Sequence, residues 1–250
     1  METAVYPVEY VGHVLHYAFT YPSTRYKFRP WPEPVYGHDC DVKVSAEQIK
    51  TTRDVLAPGS TNGFVEFRAL IAPTSRALLK YGCCIFHCVS FLWQDKAFLL
   101  TAPPGTGKTT QYLNWQRLFP GEINMICGDM PVLEGREDGS VWAHPSPWNG
   151  KEKLGNAVNG PVSGIVLLEQ GKENRIMKVS PREAIIPFFG QVVGCPETED
   201  QIIALAGIMD KMLRNIPCYK FINRGDDEST KILRSALKEC FPKGGTYGTI

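Results

Sequence analysis

The run Ala97-Phe98-Leu99-Leu100-Thr101-Ala102-Pro103-Pro104-Gly105-Thr106-Gly107-Lys108-Thr109-Thr110 constrains this chain more than any other segment. An apolar, strand-like stretch leads into a Gly-rich turn. Lys and Thr then open a helix-like stretch, Gln111 to Phe119, which stops at Pro120-Gly121. Strand, Gly-rich turn, Lys, Thr and helix is the arrangement a phosphate-binding loop requires. The backbone N–H groups of such a loop point inward at phosphate oxygens, and the helix N-terminus adds free N–H groups and partial positive charge. In this reading Gly105, Thr106, Gly107, Lys108, Thr109 and Thr110 hold a nucleoside triphosphate. Lys108 reaches the outer phosphates, and the Thr109 hydroxyl ligates Mg²⁺. The pattern GxxxxGK[ST] is broken once, at its first glycine, where Ala102 stands.

With 250 residues and 43% hydrophobic content, the chain makes one large domain, or one domain with an extension. A net charge of +1 gives no reason to expect nucleic acid or an anionic membrane as partner. No run of about 18 apolar residues is present, and the start Met1-Glu2-Thr3-Ala4-Val5-Tyr6 lacks the basic and apolar regions of a signal peptide. The eight cysteines form no C-x-x-C pair, and several lie in apolar runs, as reduced core cysteines do. Zinc at Cys83, Cys84 and Cys88 is disfavoured, because adjacent strand residues point to opposite faces. A cytoplasmic protein is the expectation.

Residues 1–80 read as a β-rich extension packed on a core spanning 81–250. Within the extension, Tyr10–Phe19 and Val42–Val44 have strand character. Tyr21–Gly37, with four prolines, reads as a packed loop or arm. Val55–Gly63 reads as a turn, Phe64–Phe67 as a strand and Ser75–Lys80 as a helix. Phe86–Trp93 then reads as one strand, turned by Gln94-Asp95-Lys96 into the strand at Ala97. Further strands are expected at Ile123–Cys127, at Gly139–Ala143 on a sheet edge, at Gly164–Leu168 and at Tyr219–Ile222. The last third is otherwise helical. Ser180-Pro181-Arg182-Glu183 and Thr198-Glu199-Asp200-Gln201 are capping boxes. The second precedes an apolar face of Ile202, Leu205, Ile208, Met209, Met212 and Leu213. Glu228–Phe241 is a final helix, and Lys243–Gly248 reads as a mobile tail.

A triphosphate site also needs a carboxylate. Asp129 ends the strand after the phosphate-loop helix, where ligand crevices form in α/β sheets. It is the candidate Mg²⁺ ligand, general base, or both. Ser146-Pro147-Trp148-Asn149-Gly150-Lys151-Glu152-Lys153 combines a rigid frame with a polar tip. Its Lys151 either neutralises charge on a transferring phosphoryl group or belongs to an ordinary surface loop. His87, read as mid-strand, is by its neighbours a core histidine. Arg175, Arg182 and Arg224 read as surface charge.

The order of motifs resembles the HPr kinase/phosphorylase-like family, with its carboxykinase-like P-loop. The matching residues are Phe86-His87-Cys88-Val89-Ser90, Asp95-Lys96-Ala97, the 102–110 loop and Trp115. They continue with Gly128-Asp129-Met130-Pro131, Ser146-Pro147-Trp148-Asn149-Gly150-Lys151, Ser180-Pro181-Arg182-Glu183-Ala184 and Pro217-Cys218-Tyr219-Lys220. The similarity spans roughly residues 40–235. It implies an α/β fold of the HPr-kinase/PEP-carboxykinase-like type, with a mixed sheet and C-terminal helices. It implies ATP and Mg²⁺ as cofactors, and phosphoryl transfer to a serine hydroxyl of a peptide or protein, as in lasso-peptide kinases. Under the resemblance His87 and Lys151 join Asp129 as catalytic candidates, Thr109 and Asp129 hold the metal, and a homo-oligomer is plausible. The family usually carries Asn-Asp-Asp-Lys-Pro where this chain has Cys127-Gly128-Asp129-Met130-Pro131, so one carboxylate and one lysine are missing. Pro104 also replaces a small polar residue. The rival expectations are a small-molecule alcohol kinase and a nucleotide-binding sensor or scaffold without turnover. Gly128→Asp is the substitution expected to separate a degenerate site from one in which Asp129 suffices.

Overall fold

The computed structural model describes residues 5–28 and 36–241. It opens with a hairpin of β1 (Val5–Tyr10) and β2 (His13–Ala18), turned at Val11-Gly12, where both residues have positive φ. That turn divides the expected single strand Tyr10–Phe19. A 3-10 turn, Pro22–Thr24, runs into the short helix α1 (Arg25–Phe28), and β3 (Cys40–Val42) adds parallel to β2. Three helices follow: α2 (Ala46–Val55), α3 (Asn62–Ala69) and α4 (Ile71–Leu79). The expected strand Phe64–Phe67 is thus helical. Thr61 caps α3 by accepting from Phe64 N, and Glu66 lies wholly inside, accepting from Thr20 N (2.6 Å), Tyr21 N (3.0 Å) and Thr24 Oγ1 (2.5 Å). A buried carboxylate of this kind is stable only with such a full set of donors. Part of the 21–37 arm and the 243–248 tail lie outside the described residues.

Nine strands form a mixed sheet among the described residues. They are β4 (Cys83–Ile85), β5 (Val89–Trp93), β6 (Lys96–Thr101), β7 (Ile123–Cys127), β8 (Val132–Gly135), β9 (Val141–His144), β10 (Gly160–Gln170), β11 (Arg175–Val179) and β12 (Cys218–Asn223). The order is β4-β8-β9-β10-β6-β5-β7, with β12 parallel to β10 and antiparallel to β11. The eleven-residue β10 joins the two parts. Its start pairs antiparallel with β9, and its later residues run parallel to β6 and β12. The strand expected on an edge, β9, is therefore interior. The hairpin at Gln94-Asp95 is present, with Trp93 opposite Lys96.

Four helices complete the fold: α5 (Lys108–Leu118), α6 (Pro181–Phe189), α7 (Glu199–Asn215) and α8 (Asp227–Leu237). Ser180 and Glu183 make the expected reciprocal cap on α6. On α7, Thr198 accepts from Gln201 N, but the Gln201 side chain reaches one residue further back, to Glu197 N (2.8 Å). Leu205, Ile208, Met209 and Met212 are buried as expected, whereas Ile202 is 58% exposed.

Three apolar clusters organise the interior. One lies between the sheet and helices α6 and α7. A second packs α5 and α8 against β5 and β6, around Phe91, Phe98 and Trp115. The third joins the N-terminal hairpin, α3 and α4 to β4, β8 and Trp148. Cys83 sits in this third cluster, and Cys84 and Cys88 in the first, so the three thiols do not share a metal. Burial pushes the Cys83 and Cys84 thiols up to about 12, which keeps them protonated and inert. No helix among the described residues is long and apolar enough to cross a membrane.

Candidate functional site

The Gly-rich loop leaves the C-terminal end of β6 and enters α5 at Gly107, whose φ of 98° only glycine adopts without strain. Gly105 also has positive φ, and a Cβ there would meet open space. No side chain caps α5. Thr106 Oγ1 and Gln170 Nε2 tie the loop down through Pro103 O (2.8 Å) and Gly105 O (3.2 Å). Lys108 is only 8% exposed and folds back on the loop, donating to Ala102 O (2.8 Å) and Pro103 O (3.4 Å). Burial lowers its pKa, opposed by the charge of Asp129. Thr109 is half-buried on the first turn of α5, and Thr110 is exposed.

Asp129 follows β7, as expected from the sequence. Its backbone is fixed by Cys88 N, which donates to Asp129 O (2.9 Å). Its two carboxylate oxygens face two cations or cation precursors: His87 Nε2 stands 3.4 Å from Oδ1, and Arg68 NH1 stands 3.6 Å from Oδ2. His87 is not mid-strand. It lies in the break between β4 and β5, where Phe86 N binds Pro131 O and His87 N binds Gln191 O. The single strand expected from Phe86 to Trp93 is interrupted because these backbone groups pair with other segments. Gln191 Oε1 accepts from His87 Nδ1 (3.0 Å), which leaves Nε2 directed at Asp129. Thr101 Oγ1, just before the Gly-rich loop, donates to His87 O (3.0 Å).

The Ser146–Lys153 segment is latched beside Asp129. Ser146 Oγ donates to Met130 O, Met130 N to Trp148 O (3.1 Å), and Trp148 Nε1 to Phe67 O on α3 (2.8 Å). Gly150 packs against Asp129 and Glu152: a Cβ there would stand 3.4 Å from Asp129 Cβ and 3.6 Å from Glu152 Oε2. Lys151 follows directly and is exposed.

A side chain at Gly128 has no room. Its Cβ would fall 2.7 Å from Asn149 O and 3.0 Å from Leu154 O, both backbone atoms. Gly128→Asp therefore displaces the 149–154 backbone, and cannot serve as the clean restoration expected from the sequence.

Arg68, Gln191 and Glu152 complete the site and were not among the sequence candidates. Arg68 was hidden because Phe64–Phe67 read as a strand. Glu152 lay inside a motif noticed only for its lysine. Arg175, Arg182 and Arg224 are exposed as expected, and Arg224 is taken up by Asp226 and Glu228.

No protein-family model and no curated protein matches the chain. Among solved structures, the Hpr(Ser) kinase/phosphatase from Coxiella burnetii aligns over 62% of this chain and 98% of its own, with 14% identity and a TM-score of 0.35.

Proposed function

We propose that this chain is an ATP-dependent kinase with a phosphate-binding loop at residues 102–109, and that it transfers the γ-phosphoryl group to a serine hydroxyl of a peptide or protein. The observation that carries this reading is buried Lys108 folded on the Gly-rich loop at the uncapped start of α5, with the His87–Asp129 pair near enough for the Asp129 charge to act on it. The residues present fit the cofactor. The loop offers backbone donors and a buried ammonium for phosphate, and Thr109 and Asp129 offer the hard oxygen donors that Mg²⁺ takes. Mg²⁺-ATP supplies the phosphoryl group.

Lys108 exchanges its bonds to Ala102 O and Pro103 O for phosphate oxygens, and so holds the outer phosphates. Asp129 orients the acceptor hydroxyl and receives its proton on a carboxylate oxygen. His87 is held by Gln191 so that Nε2 stays on the carboxylate, and Lys151 supports the developing charge from the exposed side of the loop. Rate enhancement on this reading comes from positioning and charge, without a covalent intermediate. The acceptor class, the cytoplasmic setting and self-association into a homo-oligomer belong to the same proposal.

A second reading is a nucleotide-binding sensor without turnover. It is favoured by the Asp129 carboxylate facing Arg68 and His87 on both oxygens, so that an acceptor hydroxyl would have to compete with them for the carboxylate.

The test is ADP release with Mg²⁺-ATP, with and without serine-containing peptides, alongside Lys108→Ala. Acceptor-dependent release that vanishes in Lys108→Ala, with phosphate on a peptide serine, supports the kinase. Transfer to small alcohols only moves the reading to a small-molecule kinase. ATP binding with no transfer to either acceptor class overturns it in favour of the sensor.

A further inference from the structure

We infer that His16, His38 and Asp41 form a site for a late first-row divalent cation, best matched by Zn²⁺, on the N-terminal sheet. One ring nitrogen of each histidine and one carboxylate oxygen of Asp41 lie within 4.8 Å of one another. Two imidazoles and a carboxylate are a zinc donor set, and three protein ligands leave a fourth position for water. A tetrahedral ion with bonds of about 2.0–2.1 Å needs ligand atoms roughly 3.3 Å apart, so the three side chains have to close in on the ion from their present separation.

The backbone brings the three residues together. His16 on β2 is the direct cross-strand partner of Asp41 on β3, and His38 precedes Asp41 by three residues. The two imidazole centroids are 4.4 Å apart, and His38 Nε2 already meets Asp41 Oδ1 at 3.0 Å. The segment is in place without a metal, because Asp39 N donates to Val14 O (2.8 Å) and Val14 N to Asp39 Oδ2 (2.7 Å). The backbone that carries the three ligands is therefore fixed before a metal binds.

A second observation concerns the tautomer. His16 Nε2 lies 2.9 Å from Gly37 O, and a carbonyl can only accept, so Nε2 carries the proton. The neutral ring then holds its lone pair on Nδ1. A backbone carbonyl on one ring nitrogen is the support that metal-ligating histidines use to orient the other. At His38 the ion takes the place of the proton shared with Asp41, and that proton moves to Nδ1. Cys40 alternates to the opposite face, against the core, and takes no part. Bound zinc would staple the three-residue edge strand β3 to β2.

The experiment is a calorimetric titration of Zn²⁺ into the full chain with Mg²⁺ in excess, repeated on His38→Ala, Asp41→Asn, Asp129→Asn and Cys195→Ser. His38 and Asp41 are exposed, so their variants keep the fold, which an unchanged metal-free thermal midpoint verifies. The expected result is one Zn²⁺ per chain, bound at least about tenfold more weakly in His38→Ala and Asp41→Asn and equally in the other two. Zinc at about 100 times its Kd should also raise the thermal midpoint by roughly 5–10 °C in the unaltered chain, Asp129→Asn and Cys195→Ser, and by clearly less in His38→Ala and Asp41→Asn. Absence of uptake, uptake that survives His38→Ala, or uptake lost in Asp129→Asn or Cys195→Ser overturns the inference.

Discussion

Arg68 of α3 stands 3.6 Å from Asp129 of the loop after β7, so the N-terminal segment supplies a charge to the candidate site. The guanidinium is held there by two anchors on its own helix. Buried Glu66 ties α3 to the Thr20–Thr24 turn, and Phe67 O receives the Trp148 indole N–H. Arg68 thus brings its positive charge to Asp129 from a distant part of the chain.

Arg68→Ala should lower turnover about 10²-fold while leaving ATP affinity within about twofold, since the phosphate contacts lie on the 102–109 loop. Arg68→Lys should recover part of the loss. Steady-state kinetics with direct nucleotide binding checks this, and unchanged turnover in Arg68→Ala removes Arg68 from the site.

Glu152→Gln should raise the Mg²⁺ concentration needed for half-maximal turnover by about tenfold, without changing the thermal midpoint. Its carboxylate lies across Gly150 from Asp129 and is exposed, so it adds charge at little structural consequence. A Mg²⁺ titration of activity decides, and an unchanged curve shows that Asp129 needs no second carboxylate there.

Gly128→Ala should destabilise the fold by about 1–3 kcal/mol, because the added methyl meets two backbone oxygens that cannot rotate away. Thermal unfolding should show a midpoint lower by roughly 2–9 °C. Gly128→Asp should be worse, and loss of activity in it would report the displaced 149–154 loop.

Glu122 and Arg234 provide a pH prediction. Arg234 donates to both Glu122 oxygens and Trp115 Nε1 adds a third bond, which together hold the Glu122 carboxyl below its ordinary 4.5. A carboxyl depressed on folding contributes stability that is full above its unfolded value and is lost as pH falls through the folded one. Glu122→Gln should therefore lower the thermal midpoint by about 2–8 °C at pH 7, and the gap should shrink progressively as pH falls below the ordinary 4.5. Parallel melts across pH 3–7 test it, and a gap independent of pH contradicts it.

Much of the site was legible from the chain alone. The Gly-rich loop, Lys108, the Asp129 strand end, the Gln94-Asp95 hairpin and the Ser180 cap are each written in a few neighbouring residues. Turn chemistry, capping and strand alternation act over that range. Ser146–Lys153 was visible as a motif but not as a wall of the site, because its position depends on Met130 and Phe67, far away in sequence.

The sequence by itself determined an α/β chain with a Gly-rich loop between a strand and a helix, and it placed Asp129 at the end of the next strand. Tertiary structure decided which partners that carboxylate meets. The break that exposes His87, the helical state of Phe64–Phe67 that delivers Arg68, and the close backbone packing that excludes any side chain at Gly128 all arise from contacts between segments 21 to 104 residues apart. Local periodicity carries no record of such contacts, because a residue's preference for helix or strand is weak beside the burial and hydrogen bonding that distant segments impose on it.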